Sequence, residues 1–162
     1  FDHEGGIRTP LIAHWPRGIS SRGGLAGEVA HLVDILPTLV EITGARLPGA
    51  SGGASGGSPR IEINGRSLAG VLKGKKRQGH SSIYFSHNKG RAIREGKWKL
   101  VQVRKKKTWE LYDLSKDPTE LRDLSKEKPE IAAGLKTRWT TWFRQQSSQD
   151  SPVPGVPSRK GN

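Results

Sequence analysis

The second half of the chain alternates short apolar runs with turn-forming residues. Four runs have the composition of β-strands, at residues 83–85, 91–94, 97–103 and 109–113. The connections between them are short, and Glu95-Gly96 predicts a tight turn because glycine supplies a positive φ. Short connections join neighbouring antiparallel strands. The pattern therefore predicts a small four-stranded antiparallel sheet of the meander type.

A helical pattern follows this predicted sheet. Pro129 suits the first turn of a helix, where its missing N–H costs nothing. Apolar side chains then recur at helical spacing along one face: Ile131, Leu135, Trp139, Trp142 and Phe143. We expect a C-terminal helix that covers the sheet, with the tryptophans of both elements in the core between them rather than on a stacking platform.

The first 47 residues have a different pattern. Residues 11–15 form an apolar run between two prolines, which is typical of a strand buried on both faces. Residues 34–43 predict a helix, because Asp34 can cap its start and Gly44 stands just past its end. Its apolar stripe comprises Leu32, Ile35, Leu36, Leu39 and Val40. A strand of this kind needs sheet neighbours, so residues 1–47 are predicted to be the edge of a larger α/β sheet.

Small residues dominate two further segments. Residues 49–58 alternate Gly, Ala and Ser, so residues 48–79 are predicted to be a flexible insertion with one short helical turn at 68–72. Residues 147–162 are rich in Ser, Pro and Gly and predict a disordered tail. The expected fold class is α/β, in the form of an α+β fragment: a strand and helix at 1–47 and a small antiparallel subdomain at 80–146.

The positive charge is concentrated in one segment. The 162 residues carry 28 Lys and Arg against 15 Asp and Glu, a net charge of +13. Residues 73–107 hold thirteen basic residues and one acid, so +12 of the +13 lies there. This distribution weakens the hypothesis of a general nucleic-acid binder. The chain has no cysteine, which excludes disulfides and cysteine nucleophiles within it, and no apolar run approaches the length of a membrane-spanning helix.

Several blocks of sequence follow one another in a characteristic order. They are EGGIRTP at 4–10, VDILPTL at 33–39, GRSL at 65–68, RAIREGKWKLV at 91–101, and WELYDL at 109–114 with DP and ELRDL after it. In order and spacing they resemble the C-terminal part of the sulfatases, the arylsulfatase-like members of the alkaline phosphatase superfamily. The resemblance implies the C-terminal part of a sulfuric ester hydrolase, with the edge of the large sulfatase α/β domain at 1–47.

The same resemblance identifies chemistry that this chain lacks. Sulfatases use a formylglycine made from the Cys or Ser of a C/S-x-P-x-R motif, and they bind calcium through Asp-Asp and Asp-Asn pairs. The sequence contains neither that motif nor either pair. Ester cleavage needs a nucleophile, charge neutralisation and an acid for the leaving group. We therefore expect no sulfatase activity from the isolated chain and no catalytic residue or metal within it; calcium and formylglycine are implied for the full-length family.

Three residues are candidates for the substrate pocket by this resemblance. His3 precedes the Glu-Gly-Gly block, which borders the pocket in the family, and His87 and Arg91 lie in a stretch that faces it. The sequence departs from the family pattern around His87, where the acidic positions are missing. Sulfate esters are the implied partner for the full-length family.

Other residues of these blocks are expected to be structural. They are Glu4, Gly5, Gly6 and Arg8. We expect the Glu4 carboxylate and the Arg8 guanidinium to fix the backbone around the two glycines, which mark a tight path. His14, His31 and His80 are expected to be structural or exposed, because scattered histidines make a poor metal site.

Two other interpretations stay open. The basic runs at 73–77 and 104–107 are typical of solvated loops, but they also allow a non-enzymatic module that binds a polyanion, either a sulfated glycan or a nucleic acid. The lack of aromatic residues among them disfavours the nucleic acid. The third interpretation is a fragment that does not fold stably. No membrane partner is expected, and the resemblance implies a periplasmic or secreted protein.

Overall fold

The computed structural model describes residues 2–19, 21, 23–46, 63–87, 90–102 and 107–148. In these residues the elements are α1 (Glu4–Ile7), a 3₁₀ helix (Leu32–Asp34), α2 (Ile35–Thr43), α3 (Ala69–Leu72), β1 (Ser82–His87), β2 (Gly90–Glu95), β3 (Trp98–Gln102), β4 (Trp109–Asp113) and α4 (Pro129–Ser148). The chain divides into two compact units, which we call the sheet unit (Phe1–Thr9 with Ser82–Asn162) and the helical unit (Pro10–Ser81). Among the described helices, none has the length and apolar character needed to cross a membrane.

The sheet unit is built on four antiparallel strands in the order β1-β2-β3-β4. Each strand pairs with its neighbour in sequence, so the predicted meander is confirmed. The β2–β3 hairpin turns at Gly96, whose φ of +55° lies in the left-handed region that favours glycine. The predicted mixed α/β class, with its small antiparallel sheet and C-terminal helix, is also confirmed.

One face of the sheet packs against α4. Five side chains, each at most 2% exposed, form this core: Ile93, Leu100, Leu111, Leu135 and Trp139. The other tryptophans of the unit pack around them, namely Trp98, Trp109 and Trp142. The indole N–H of Trp139 donates to the Phe85 carbonyl at 3.0 Å, which satisfies the one polar atom of the ring. The tryptophans are therefore core residues, as their spacing predicts.

The opposite face of the sheet carries the N-terminal segment. Side chains alternate between the two faces of a strand, and this face has Ala92, Val101 and Tyr112 buried on it. His3 contacts Tyr112 there, and Glu4 contacts Lys99. We call this the N-terminal face. It brings the first residues of the chain together with β3 and β4.

The helical unit contains the predicted helix and the predicted helical turn. α2 ends at Gly44, which has a φ of +67°, as expected for a glycine at that position. The Thr38 hydroxyl donates to the Asp34 carbonyl and accepts the Leu68 N–H at 2.8 Å, which ties α2 to the start of α3. The Asp34 side chain does not cap α2. Instead it turns inward, and His31 caps the 3₁₀ helix.

The helical unit differs from the prediction in two respects. Residues 11–15 form no strand, and Ile12 is 89% exposed, because none of the described segments pairs with this run. The apolar stripe of α2 is also largely exposed, at 79% for Leu32 and 49% for Leu39. Its packing neighbours, the 3₁₀ helix and α3, are too short to cover this face.

Parts of two predicted segments lie outside the described residues. Of the insertion predicted at 48–79, residues 63–79 are described and contain α3, whereas 48–62 lie outside. Of the tail predicted to be disordered at 147–162, residues 147–148 end α4 and 149–162 lie outside.

Candidate functional site

The N-terminal segment approaches the sheet closely at β2. Asp2 is buried, and a Cβ atom added to Gly90 would overlap the Asp2 carboxylate. Glycine at position 90 therefore leaves the space that Asp2 occupies. The approach fixes the chain immediately before His3, one of the pocket candidates that the family resemblance implies.

Lys99 is the centre of a buried ion-pair network on the N-terminal face. Its side chain has no exposed surface, and its Nζ lies 2.9 Å from Glu4 Oε1 and 2.9 Å from Glu120 Oε1. The Glu120 carboxylate also accepts the backbone N–H of Glu4. Arg94 Nη1 lies 3.7 Å from Glu4 Oε2 at the edge of the network. Two carboxylates therefore face two cations, which balances charges that would otherwise be costly to bury.

Glu120 occupies an uncommon backbone conformation within this network. Its φ is +58°, in the left-handed region that a residue with a Cβ seldom adopts. The conformation costs about 1–2 kcal/mol. The ion pair with Lys99 and the hydrogen bond from the Glu4 N–H offset that cost, so the network holds the loop after β4 in place.

His3 lies beside this network with its ring partly exposed. The His3 and Tyr112 rings meet edge to face, with centroids 6.0 Å apart, and His3 Nε2 lies 3.7 Å from Glu110 Oε2. The same Glu110 oxygen accepts the Tyr112 hydroxyl at 2.6 Å. One edge of the imidazole is thus positioned by β4, while the exposed third of the side chain can reach a ligand. An imidazole in this position can give or take a proton.

The Tyr112 hydroxyl remains a hydrogen-bond donor over a wide pH range. Burial, the hydrogen bond to Glu110 and the charges of Glu110, Asp123 and Glu120 raise the pKa of Tyr112 well above its usual value. The phenol therefore stays protonated and keeps its hydrogen bond to Glu110. This bond fixes the carboxylate that lies next to His3.

The structure places His87 and Arg91 on opposite faces of the sheet. His87 ends β1, is exposed, and pairs with Gly90 on the N-terminal face, the face that also carries His3. The Arg91 guanidinium lies over the ring of Trp139, 5.1 Å from its centroid, on the face covered by α4. The fold thus brings His87 and His3 to one face and does not bring Arg91 there.

The Glu-Gly-Gly block forms a single helical turn. Gly5 and Gly6 lie inside α1, and a Cβ at Gly5 would meet no atom within 4 Å. Glu4 is buried and pairs with Lys99. Arg8 is exposed. Together with Glu4, Gly5, Pro118 and Thr119 it lines a shallow cleft of about 360 Å³ beside the network.

A second buried carboxylate organises the helical unit. Asp34 has no exposed surface. Its Oδ1 accepts the Arg66 N–H at 2.8 Å and lies 2.6 Å from His80 Nε2, and its Oδ2 accepts from the His31 N–H at 2.9 Å and from Arg77 Nη2 at 3.2 Å. Burial opposes ionisation, but the hydrogen bonds from Arg66, His31 and His80 hold the pKa of Asp34 below its usual value. His31 and His80 are therefore structural, as predicted.

The carboxylates of the described residues do not fit the calcium that the resemblance implies for the family. Within the described ranges, no three His, Cys, Asp or Glu side chains converge on a point that could hold a metal ion. The buried carboxylates already face cations, Lys99 for Glu4 and Glu120 and Arg77 for Asp34. Calcium needs about six to eight oxygen ligands. No step through a metal follows from these residues.

Lys99 and Asp34 are the central residues that sequence reasoning missed. Lys99 counts in the sequence as one of the basic residues of 73–107, although it stands between the apolar residues Trp98 and Leu100. Asp34 is likewise flanked by apolar residues on both sides. A charged residue inside a buried apolar run is a signal for a buried ion pair, because burial requires a partner.

Comparison with known proteins gives one consistent result. Residues 1–145 match the family model described as N-sulphoglucosamine sulphohydrolase, C-terminal. The chain is 32% identical to an uncharacterized sulfatase of Schizosaccharomyces pombe over 99% of this chain and 29% of that protein. It is 28% identical to arylsulfatase A of Homo sapiens over 83% of this chain and 30% of that protein. The chain thus spans less than a third of the length of these relatives.

A solved structure shares the fold. The structure of a 2-O GAG sulfatase superimposes on 79% of this chain and 30% of that chain, with a TM-score of 0.52 and 26% sequence identity. The superimposed part includes most of the chain, so its mixed α/β arrangement resembles the corresponding part of that sulfatase structure.

Proposed function

The chain belongs to the sulfatase family, to the C-terminal region of its members, and from this premise we propose that it is the C-terminal part of an arylsulfatase-like sulfuric ester hydrolase. The observation that carries the proposal is the family match over residues 1–145. The fold is consistent with the proposal, because four of the five sequence blocks form α1, α2 and the strands β2 to β4.

The chain by itself is inactive in this proposal. A sulfate ester is cleaved by a nucleophile, and this sequence holds no C/S-x-P-x-R motif that could become formylglycine. When present in a sulfatase, formylglycine supplies the nucleophile and calcium supplies positive charge at the sulfate. The residues of this chain supply positioning and proton transfer instead.

The N-terminal face is the part that borders the substrate pocket in this proposal. His3 is held by Tyr112 and Glu110, and its exposed edge is available to bind a sulfate oxygen or to move a proton at the leaving group. His87 is a second imidazole on the same face. Lys99, Glu4 and Glu120 are buried and pair with one another, so their proposed role is to position α1 and therefore His3.

The first experiment assays the purified chain alone against an aryl sulfate. We expect no hydrolysis above the rate in buffer, with or without added calcium. Circular dichroism and a thermal melt on the same sample establish that the chain is folded, which also tests the interpretation of an unstable fragment. Turnover by the folded chain would contradict the proposal, because it would require a nucleophile that the sequence lacks.

The second experiment supplies the rest of a sulfatase. The Schizosaccharomyces pombe relative is truncated so that it lacks the region matched by this chain, and it is expressed with and without the chain in trans. We expect aryl sulfate hydrolysis when both parts are present and none with either alone. Stable association of the two parts without activity would contradict the proposed role in completing the site.

A His3→Gln variant tests the role of the imidazole in the same complementation assay. Glutamine keeps a hydrogen-bonding side chain but cannot take up a proton near neutral pH. We expect a lower kcat and an altered pH profile, with association of the two parts unchanged. A His14→Gln variant is the matched control, because His14 is exposed and lies in the helical unit.

A further inference from the structure

The basic residues of segment 73–107 fall into two groups: those whose side chains contact other groups of the protein, and those with no such contact among the described residues. Nine of its basic residues are described. Four form ion pairs with carboxylates: Arg77, Arg94, Lys97 and Lys99. Arg91 lies over the Trp139 ring. These five side chains therefore each have a partner within the fold, and the described basic residues that remain are Lys107 and three lysines close together in sequence.

Those three lysines form a compact exposed group, which we call the lysine patch: Lys73, Lys75 and Lys76. Among the described residues, no carboxylate forms an ion pair with any of them. Residues 63–94 contain no Asp or Glu, so no carboxylate in that range is close to these lysines in sequence. Within the part of the chain that the structure describes, the patch thus carries three positive charges in four residues with no carboxylate paired to them.

The backbone beneath the patch is held by hydrogen bonds. The Lys73 N–H donates to the Ala69 carbonyl, and the Lys75 N–H reaches back to the Gly70 carbonyl at 2.8 Å. Gly74 has a φ of +72°, the left-handed conformation that closes the end of a helix. The neighbouring Arg77 points inward and pairs with buried Asp34. The lysines are therefore displayed from a fixed turn, which lowers the entropy lost when they bind a ligand.

We propose that the lysine patch is a docking site for a sulfated glycan. The identity of the ligand rests on the proposed function, since a sulfatase acts on sulfate esters and a chain of them presents many anionic groups. Lysine binds such groups as a point charge without demanding a fixed geometry. The patch would capture a polymeric substrate and raise its concentration near the protein.

The surroundings of the patch favour a glycan over a nucleic acid. Residues 63–81 contain no Phe, Tyr or Trp on which a base could stack. α3 has four residues, so it is too short to read a DNA groove. A sulfated glycan needs neither feature, because it is recognised through charge.

The test measures binding of the full chain to heparin by titration at several salt concentrations. The first variant combines Lys73→Gln, Lys75→Gln and Lys76→Gln. The matched control combines Lys116→Gln, Lys126→Gln and Lys136→Gln, three exposed lysines of the sheet unit, and so removes the same charge. A third variant with arginine at positions 73, 75 and 76 retains the charge of the patch.

We expect the patch variant to bind heparin about tenfold more weakly at moderate salt. The number of ions released on binding, which is read from the slope of log affinity against log salt concentration, should fall by about two. The control and arginine variants should stay within about threefold of the parent chain. Equal weakening by the control, or unchanged binding by the patch variant, would overturn the proposal. Failure of the parent chain to bind heparin would also overturn it.

Two further arms identify the ligand. Desulfated heparin should bind much more weakly than heparin, and single-stranded DNA of similar charge should not bind better than heparin. Preference for DNA would assign the patch to nucleic acid and refute the glycan. Turnover of an aryl sulfate by the chain alone would contradict the proposed function without changing the binding result, so the two failures are distinguishable.

Discussion

Lys99 and Glu4 are 95 residues apart in sequence, yet their side chains form a buried ion pair with Nζ and Oε1 2.9 Å apart. The pair connects the third strand of the sheet to the first helical turn of the chain. Glu120 completes it from the loop after β4. This contact explains how the segment that carries His3 is held on the sheet.

Replacement of Lys99 by methionine should destabilise the sheet unit strongly. The change leaves Glu4 and Glu120 buried without their ammonium partner, which typically costs about 3–5 kcal/mol. Urea denaturation followed by tryptophan fluorescence measures the loss, because four of the five tryptophans lie in or against the core of this unit.

Lys97→Met is the matched control for that experiment. Lys97 pairs with Asp113 at 3.0 Å, but half of its side chain is exposed, so its loss should cost no more than about 1 kcal/mol. Similar losses for the two variants would contradict a special role for the buried pair.

Gly90→Ala should displace the N-terminal segment. A Cβ at this position overlaps the Asp2 carboxylate, so we expect Asp2 and His3 to move and the stability to fall by about 1–3 kcal/mol. The NMR signals of the His3 imidazole report the movement, because the ring lies beside Tyr112. Gly5→Ala is the control: its Cβ meets nothing within 4 Å, and alanine is favoured in a helix. Unchanged His3 signals in Gly90→Ala would refute the close approach.

Asp34 should make the stability of the helical unit depend on pH in acid. Its folded pKa lies below the unfolded value of about 3.9. Between these two pKa values the unfolded state binds more protons, so the contribution is complete above the unfolded pKa and is lost as pH falls through the folded pKa. Denaturation at a series of acidic pH values measures this dependence.

Asp34→Asn should weaken this dependence and also lower stability near neutral pH by about 3 kcal/mol, because Arg77 loses its buried partner. Glu41→Gln, an exposed change on α2, should leave the neutral stability unchanged. A pH profile identical in the parent chain and in Asp34→Asn would contradict the assignment.

Tyr112 should remain protonated in alkaline solution. In a Tyr84→Phe variant it is the one remaining tyrosine, so ultraviolet absorbance follows its ionisation directly. Because its folded pKa is raised, we expect little phenolate at about pH 10, where an unfolded tyrosine is half ionised. The stabilising contribution is present below the unfolded pKa and is lost as pH rises above it. Urea-unfolded chain provides the reference, and a normal titration in the folded chain would refute the prediction.

Elements with a strong local pattern were predictable from the sequence. The strands β1 to β4, the glycine turn at Gly96 and the helix from Pro129 follow from alternation, helical spacing and turn chemistry, which depend on residues close together in the chain. The run at 11–15 has an equally clear pattern but forms no strand in the described structure, because a strand is stable only beside another.

The amino-acid sequence alone determined the order of the elements, the family resemblance and the missing nucleophile motif, since each depends on which residues stand where along the chain. Tertiary structure decided the roles of the charges. It buried Lys99 with Glu4 and Arg77 with Asp34, placed Arg91 over Trp139, and left the lysine patch exposed. The physical reason is that the energy of a charge depends on its burial and its partners, and both are set by contacts between residues far apart in sequence.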